Sequence, residues 1–395
     1  MYQSLLPGQE VSITAEKRKD TKGRILKPGE RQRENGSYEY RFRLNRKAQS
    51  IYAKTLEELR NKEKTIQRDM EDGIDYTAGN ITVSELIDRH LKIRKKFSIN
   101  SLRAYTTVIK RIQTSSFGEK RIRDVKMSDA KLFYINLHDS GLKRNTINLY
   151  HNILRPAFEM AVDDDMIRKN PFKFYVSDLF DDDSVKRYAL TWQQQEEYLQ
   201  FIREYGSGNY YDDIVILLGT GLRVSELYGL TKNDIDLRRH CIDITHQLCR
   251  TAEMTYFVKA PKSASGTRSV PMTGAVQEAF ENTLQNRHTA TELIVNGYSG
   301  FIFLDKDGMP KVGMHLQNYM RIMQKKLNKI NPKFPRVTPH VLRHTFCTNM
   351  QRSGLDIKTL QYLMGHSKAD ITLDVYTHAD FETVQKAFIL ATKSG

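Results

Sequence analysis

Three separated segments in the C-terminal half carry side chains suited to work on a phosphate. The first is Gly219-Thr220-Gly221-Leu222-Arg223-Val224-Ser225-Glu226-Leu227, directly after the apolar run 214–218. Its glycines let the backbone turn, and Arg223 falls near a helix start, where free N–H groups and the helix dipole favour an anion. No Gly-Lys-Ser/Thr follows, so this is not a P-loop. An Arg223–Glu226 ion pair is the plain structural reading. The second segment is His340-Val341-Leu342-Arg343-His344, after Thr338-Pro339, with the proline placed to begin a helix. His340, Arg343 and His344 stand at i, i+3 and i+4 and share a face. That spacing copies a zinc-protease helix, but Val341 occupies the place of the required glutamate base, which disfavours a metalloprotease. His344 reads first as a hydrogen-bonded core histidine. The third segment is Leu363-Met364-Gly365-His366-Ser367, with Tyr376-Thr377-His378 ten residues beyond His366. Alone, Tyr376 is one of 20 tyrosines. Together, two arginines, two histidines and a tyrosine suggest phosphoryl transfer. Guanidinium forks clamp non-bridging oxygens, imidazoles handle protons or hydrogen bonds, and a phenol can attack phosphorus.

This ordered set resembles the tyrosine recombinase (phage integrase) family. GTGLRVSEL, HVLRH, and LMGHS with VYTH fit its Arg, His-x-x-Arg, Gly-His and Tyr boxes in sequence. The basic N-terminal region is similar to that of conjugative-transposon integrases, so the resemblance spans essentially the whole chain. It implies that Arg223 and Arg343 hold the scissile phosphate and that Tyr376 is the nucleophile. His340 would assist deprotonation of the phenol, whose ordinary pKa is ~10. His366 would hydrogen-bond the phosphoryl group. The family's general acid is a lysine on a β-hairpin, matched here by Lys262, with Lys259 as its rival. Arg268, in the following strand, would support the hairpin or touch DNA backbone. The implied reaction is transesterification through a 3′-phosphotyrosyl link, with no cofactor and no metal. The implied partners are double-stranded DNA at core and arm sites, a tetramer of the chain on that DNA, and an excisionase and a DNA-bending host protein. Two alternatives stand beside it: a type IB topoisomerase-like enzyme, and a DNA-binding regulator with an inactive recombinase fold.

The elements that must position these groups are written in composition and pattern. A chain of 395 residues is too long for one ordinary core and predicts two or three domains. Hydrophobic residues are 39% and charged residues 28%, a globular composition with no apolar stretch long enough to span a bilayer. Three widely spaced cysteines and no signal-peptide pattern predict a cytoplasmic protein without a disulfide scaffold. The net charge of +15 is uneven. Residues 1–80 hold 17 basic and 13 acidic side chains, 81–173 hold 19 and 10, and 174–395 hold 26 and 24. So the first 173 residues carry nearly all the excess, and a polyanion is their natural partner.

The pattern predicts a multidomain α+β chain, and the resemblance implies what each part does. A small N-terminal β-sheet plus helix (1–75) would bind arm-type DNA. An all-helical domain (82–175) would bind core DNA. A mainly α domain with a small antiparallel sheet (185–395) would be catalytic. In 37–44 the residues alternate, with Tyr38, Tyr40, Phe42 and Leu44 on one face and Glu39, Arg41 and Arg43 on the other. Arg41 and Arg43 are therefore candidate groove contacts, since a major groove admits a β-ribbon. Thr55-Leu-Glu-Glu58 and Thr82-Val-Ser-Glu85 are capping-box patterns that open helices. Lys92, Arg94, Lys95 and Lys96 on and after the second of these are further DNA-binding candidates. Helices are predicted near 100–113, 128–139 and 145–164, the last kinked at Pro156, with 72–80 as a linker and 178–183 as a loose acidic connector. Helices near 191–205 and 210–230 should precede strands at 241–271. In the tail, Phe381, Val384 and Phe388 form a short apolar stripe for docking on a neighbouring subunit or on the same domain.

Overall fold

The structure is a computed structural model that describes residues 18–44, 47–75, 78–93, 99–183, 188–206, 210–251, 253–261, 263–287 and 293–366. The chain divides into two compact units, 1–185 and 186–395.

The first unit opens with an antiparallel sheet of β1 (Glu30–Gln32), β2 (Tyr38–Leu44) and β3 (Lys47–Ala53), in that order. Helix α1 (Leu56–Glu71) follows, its N-cap Thr55 accepting from the Glu58 N–H at 3.2 Å. Glu58 reaches back to the Lys54 N–H instead of closing the box on Thr55. Leu26, Tyr38, Ala53, Leu56 and Leu59 make a small core between sheet and helix. Glu30, fully buried, is held there by Arg60 of α1 at 2.9 Å, because an unpaired buried carboxylate would be costly. On the outer face the alternation needs one correction. Glu39 is only 1% exposed, because its cross-strand neighbour Arg31 and its strand neighbour Arg41 close over it.

The predicted linker is anchored where it is described. The Asp75 N–H donates to the Asp165 carbonyl, and Arg168 pairs with Asp69 and Asp72. Helices α2 (Val83–Ile93), α3 (Ile99–Gln113), α4 (Met127–Asp139) and α5 (Arg144–Asp163) build the helical part. The box that opens α2 closes in both directions, Glu85 accepting from the Thr82 N–H and Thr82 Oγ1 from the Glu85 N–H. Leu86, Ile87, Ile112, Tyr134, Leu154, Phe158 and Phe172 lie in one core. Helix α5 runs through Pro156 as a single element. The buried Ile153, Leu154, Ala157 and Phe158 flank the proline and hold both halves against the same core. The acidic stretch is no loose connector. Asp183 accepts from the Arg144 N–H at 3.1 Å, 39 residues away in sequence, and Asp182 pairs with the Arg144 guanidinium, so the two cap α5 from a distant segment.

The second unit starts with α6 (Trp192–Tyr205) and α7 (Tyr211–Thr220). The turn read from Gly219 and Gly221 falls inside the helical stretch expected over 210–230. Gly221 takes a left-handed φ of +65° and ends α7, and the short α8 (Val224–Leu227) begins after Arg223. Strands β4 (Ile235–Asp236), β5 (Cys241–Ile244) and β8 (Arg268–Pro271) form one antiparallel sheet, and β6 (Gln247–Arg250) pairs with β7 (Tyr256–Lys259) in a separate ribbon. Helices α9 (Gly274–Gln285), α10 (Gly313–Ile330), α11 (Pro339–Arg352) and α12 (Ile357–Met364) complete it. Helix α7, apolar nearly all round, is the centre of the core, with α9 and α11 packed on it. This places the end of α7, and so Arg223, beside α11. The cysteines are free thiols. Among the described residues no helix is long and apolar enough to cross a membrane.

Candidate active site

The end of α12 organises the site. The last carbonyls of a helix have no partner within it and carry the negative end of its dipole. Here three successive ones face three arginines. The Leu363 carbonyl accepts from Arg268 Nε at 2.7 Å, the Met364 carbonyl from Arg343 Nη2, and the Gly365 carbonyl from Arg223 Nη2 at 3.1 Å. Gly365 makes this fan possible. Its φ is +59°, and a Cβ there would stand 2.8 Å from Arg268 Nη1.

Arg343 sits one turn into α11, which Pro339 begins and Thr338 caps, accepting from the Val341 N–H. It is buried, and its Nη1 donates to the Gly221 carbonyl at 2.6 Å. The turn that breaks α7 therefore also holds the second arginine. Its Nη2 lies 2.9 Å from Nε2 of the buried His366. Arg223 caps α8, with Nη1 2.7 Å from Glu226 Oε1 and its own N–H donating to Glu226 Oε2. The ion pair read from the sequence as the structural alternative is thus present, yet Arg223 remains a third exposed. These bonds use two of the five N–H donors on its guanidinium.

Glu226 and Arg268 stand out little in sequence, and the structure gives them more weight. Arg268 has no exposed side-chain surface, which excludes the expected contact with DNA backbone and leaves support of the hairpin. Its Nη2 is 3.0 Å from Glu226 Oε2, and its Nη1 donates to the Gly266 carbonyl. Two guanidinium groups thus share one carboxylate while Arg343 bonds only to carbonyls and His366, so among the described residues the cluster carries unbalanced positive charge. Burial works to raise the Glu226 carboxyl, but Arg268 and Arg223 outweigh it and hold it below its usual range. Burial, then repulsion from Arg223, brings Arg343 down to about 9. Burial and the three arginines bring His366 down to about 4. An anion is what such a site lacks.

Of the predicted site residues, Arg223, Arg343 and His366 converge. His340 is exposed on the first turn of α11, beside a cavity of about 410 Å³ whose lining includes Arg321, Lys325 and Arg336. Lys262 and Tyr376 lie outside the described residues, whereas Lys259 ends β7, half-buried. His344 is half-buried, two positions from the core residue Leu342. In the first unit Arg41 and Arg43 are exposed on β2, the former tied to Glu39 at 2.8 Å. Lys92 is exposed on α2, and Arg94, Lys95 and Lys96 lie outside the described residues, as do Phe381, Val384 and Phe388. The R-x-x-E spacing at 223–226 is the available signal for Glu226. Little local marks Arg268, whose partners Glu226 and Leu363 lie 42 and 95 residues away.

Comparison with known proteins gives three matches along the chain. Residues 14–70 match the DNA binding domain of the Tn916 integrase, 82–177 the phage integrase SAM-like domain, and 189–383 the phage integrase family. The chain is 38% identical over 385 residues to the transposase from transposon Tn1545 of Streptococcus pneumoniae, covering 93% of this chain and 95% of the relative. The same identity and coverage hold for the transposase from transposon Tn916 of Enterococcus faecalis. Among solved structures, the Tn1549 transposon integrase in complex with transposon right end DNA is 38% identical, with a TM-score of 0.74 over 79% of this chain and all of that one. A lambda integrase dimer bound to a core site shares the fold at 16% identity, with a TM-score of 0.57 over 89% of this chain and 95% of that one.

Proposed function

This chain belongs to the phage integrase family of tyrosine recombinases, and from that premise we propose that it cuts and rejoins DNA at specific sites to integrate and excise a mobile element. The observation that carries the reading is the convergence of Arg223, Arg343 and His366 around one helix end with uncompensated positive charge. A phosphodiester supplies the missing anion, and its non-bridging oxygens fit the remaining donors of Arg223. Tyr376 follows His366 by ten residues, within reach of the same point for a short segment.

The reaction balances without an external energy source. The Tyr376 phenolic oxygen bonds to phosphorus as the bond to the 5′-oxygen breaks, leaving a 3′-phosphotyrosyl link. His340 takes the phenolic proton, and Lys262, or Lys259, returns a proton to the departing 5′-oxygen. The arginines stabilise the charge that builds on the phosphoryl oxygens, and His366 hydrogen-bonds one of them. A 5′-hydroxyl from a partner strand then attacks the link and restores a phosphodiester. Exchange between two duplexes breaks four strands, so one tyrosine per chain calls for a tetramer on DNA.

The same reading assigns arm-DNA binding to 1–75, core-DNA binding to 82–175 and catalysis to 185–395. Arg41, Arg43, Lys92, Arg94, Lys95 and Lys96 supply phosphate and groove contacts. DNA is stiff over ~150 bp, so joining an arm site to a core site on one chain calls for bending. A DNA-bending host protein would meet that need, and it and an excisionase belong to this reading as partners that the family resemblance implies. The Tn1549 integrase, similar over most of this chain, is solved on transposon end DNA, which supports it. The deciding experiment traps the full-length protein on a nicked suicide DNA substrate. Wild type should give a covalent adduct that survives denaturation, and Tyr376→Phe should give none. An adduct that persists in Tyr376→Phe removes the nucleophile assignment.

A further inference from the structure

Every donor of Arg268 engaged in the structure is spent on another part of the active site. Nε holds the Leu363 carbonyl at 2.7 Å, two residues before Gly365 and three before His366. Nη2 holds Glu226 Oε2 at 3.0 Å, and Nη1 reaches Glu226 Oε1 at 3.4 Å. Nη1 also donates to the Gly266 carbonyl at 3.0 Å, at the end of the turn Ala264–Gly266 that begins two residues beyond Lys262 in sequence. Glu226 in turn holds Arg223 by both its guanidinium and its backbone N–H. The side chain is wholly buried, so it meets neither solvent nor DNA.

We propose that Arg268 is a positioning residue for strand cleavage, one guanidinium that ties Arg223, the general-acid loop and the His366 turn into a single rigid frame. The inference rests on the recombinase reading above. A planar fork is required because the bonds leave in three directions from one group, and an ammonium offers no such fixed geometry. Arg268→Lys keeps a positive charge for Glu226 but cannot hold the Leu363 and Gly266 carbonyls together with it.

The test measures single-turnover adduct formation on the suicide substrate, DNA affinity and thermal melting, all with the full chain. Arg268→Lys should melt below wild type because buried carbonyls lose their donor, yet, assayed where it is folded, should bind DNA unchanged and form adduct about 100-fold more slowly, the scale of loss when reacting groups move by about 1 Å. In an Arg223→Lys background the same change should cost less, because one of the three groups being positioned has already gone. A wild-type rate in Arg268→Lys means that charge alone suffices, and overturns the proposal. So does an equal fold-loss in both backgrounds, or a loss of DNA affinity matching the loss of rate. Should Arg268→Lys fail to fold, Arg268→Met is made in the Glu226→Gln background and compared with Glu226→Gln alone, so that the loss of Glu226's own hold on Arg223 is common to both. Slower cleavage than Glu226→Gln alone with intact binding supports the proposal, and equal cleavage ends it. If wild type itself gives no adduct, the recombinase reading fails and takes this inference with it, a result that no Arg268 variant can mimic.

Discussion

Arg343 donates to Nε2 of His366 across 2.9 Å, and an arginine has only donors, so that nitrogen carries the lone pair and the ring proton sits on Nδ1. His366 is neutral in the free protein. Burial first, then Arg343, Arg223 and Arg268, lowers its pKa from 6.5 to about 4. Between those values the unfolded chain binds a proton that the folded chain refuses. The stability tied to the neutral ring is complete above 6.5 and is lost as pH falls toward about 4. Urea denaturation across this range should therefore show a steeper acid loss for wild type than for His366→Gln. Parallel curves would mean that the ring is not held neutral. Bound DNA adds a phosphate charge and should move the same titration upward, which is the direction a hydrogen bond from the ring to a phosphoryl oxygen requires.

At the scale of elements, the site depends on two places where helices stop. The left-handed Gly221 ends α7 and turns its carbonyl to Arg343, and the left-handed Gly365 ends α12 where its own carbonyl and the two before it fan to three arginines. Left-handed backbone costs a residue with a Cβ about 1–2 kcal/mol. At Gly365 the Cβ also meets Arg268 Nη1 at 2.8 Å, whereas at Gly354, with φ of +86°, it meets nothing within 4 Å. Gly354→Ala should accordingly lose about 1–2 kcal/mol with cleavage intact. Gly365→Ala should lose more stability and also slow adduct formation, because Arg268 has to move. Equal losses at the two positions in melting and in cleavage would show that the close approach has no consequence for the site.

For the whole molecule, charge and chemistry are divided along the chain. The excess of basic residues lies in the first unit, and the arginine cluster lies in the second. The α2–α5 part of the first unit is joined to α1 by partly exposed pairs such as Arg168 with Asp69, which contribute little to stability. Deleting 1–75 should thus leave core-site cleavage in place and abolish arm-site binding. The slope of log K against log salt on DNA carrying both sites should fall by ~0.9 for each phosphate that the shortened chain no longer neutralises. An unchanged slope would show that the N-terminal sheet does not bind DNA.

What is legible in the sequence is local. The alternation in β2, the caps at Thr55 and Thr82, and the proline start of α11 depend on neighbours a few residues apart, and each appears in the structure. The Arg223, His340–Arg343 and Gly365–His366 boxes are short runs of the same kind. What pattern alone misses depends on distant partners. Glu39 is buried by a cross-strand arginine, and α5 is capped by an aspartate from 39 residues on. Arg268 is the clearest case. In sequence it is one basic residue of a strand, and only the packing of β8 against α12 and α8 turns its fork onto Glu226, Gly266 and Leu363. Residue type and spacing could name the groups that meet a phosphate. The direction in which a buried guanidinium points is set by which carbonyls the fold leaves unpaired around it, and that is a property of the assembled chain.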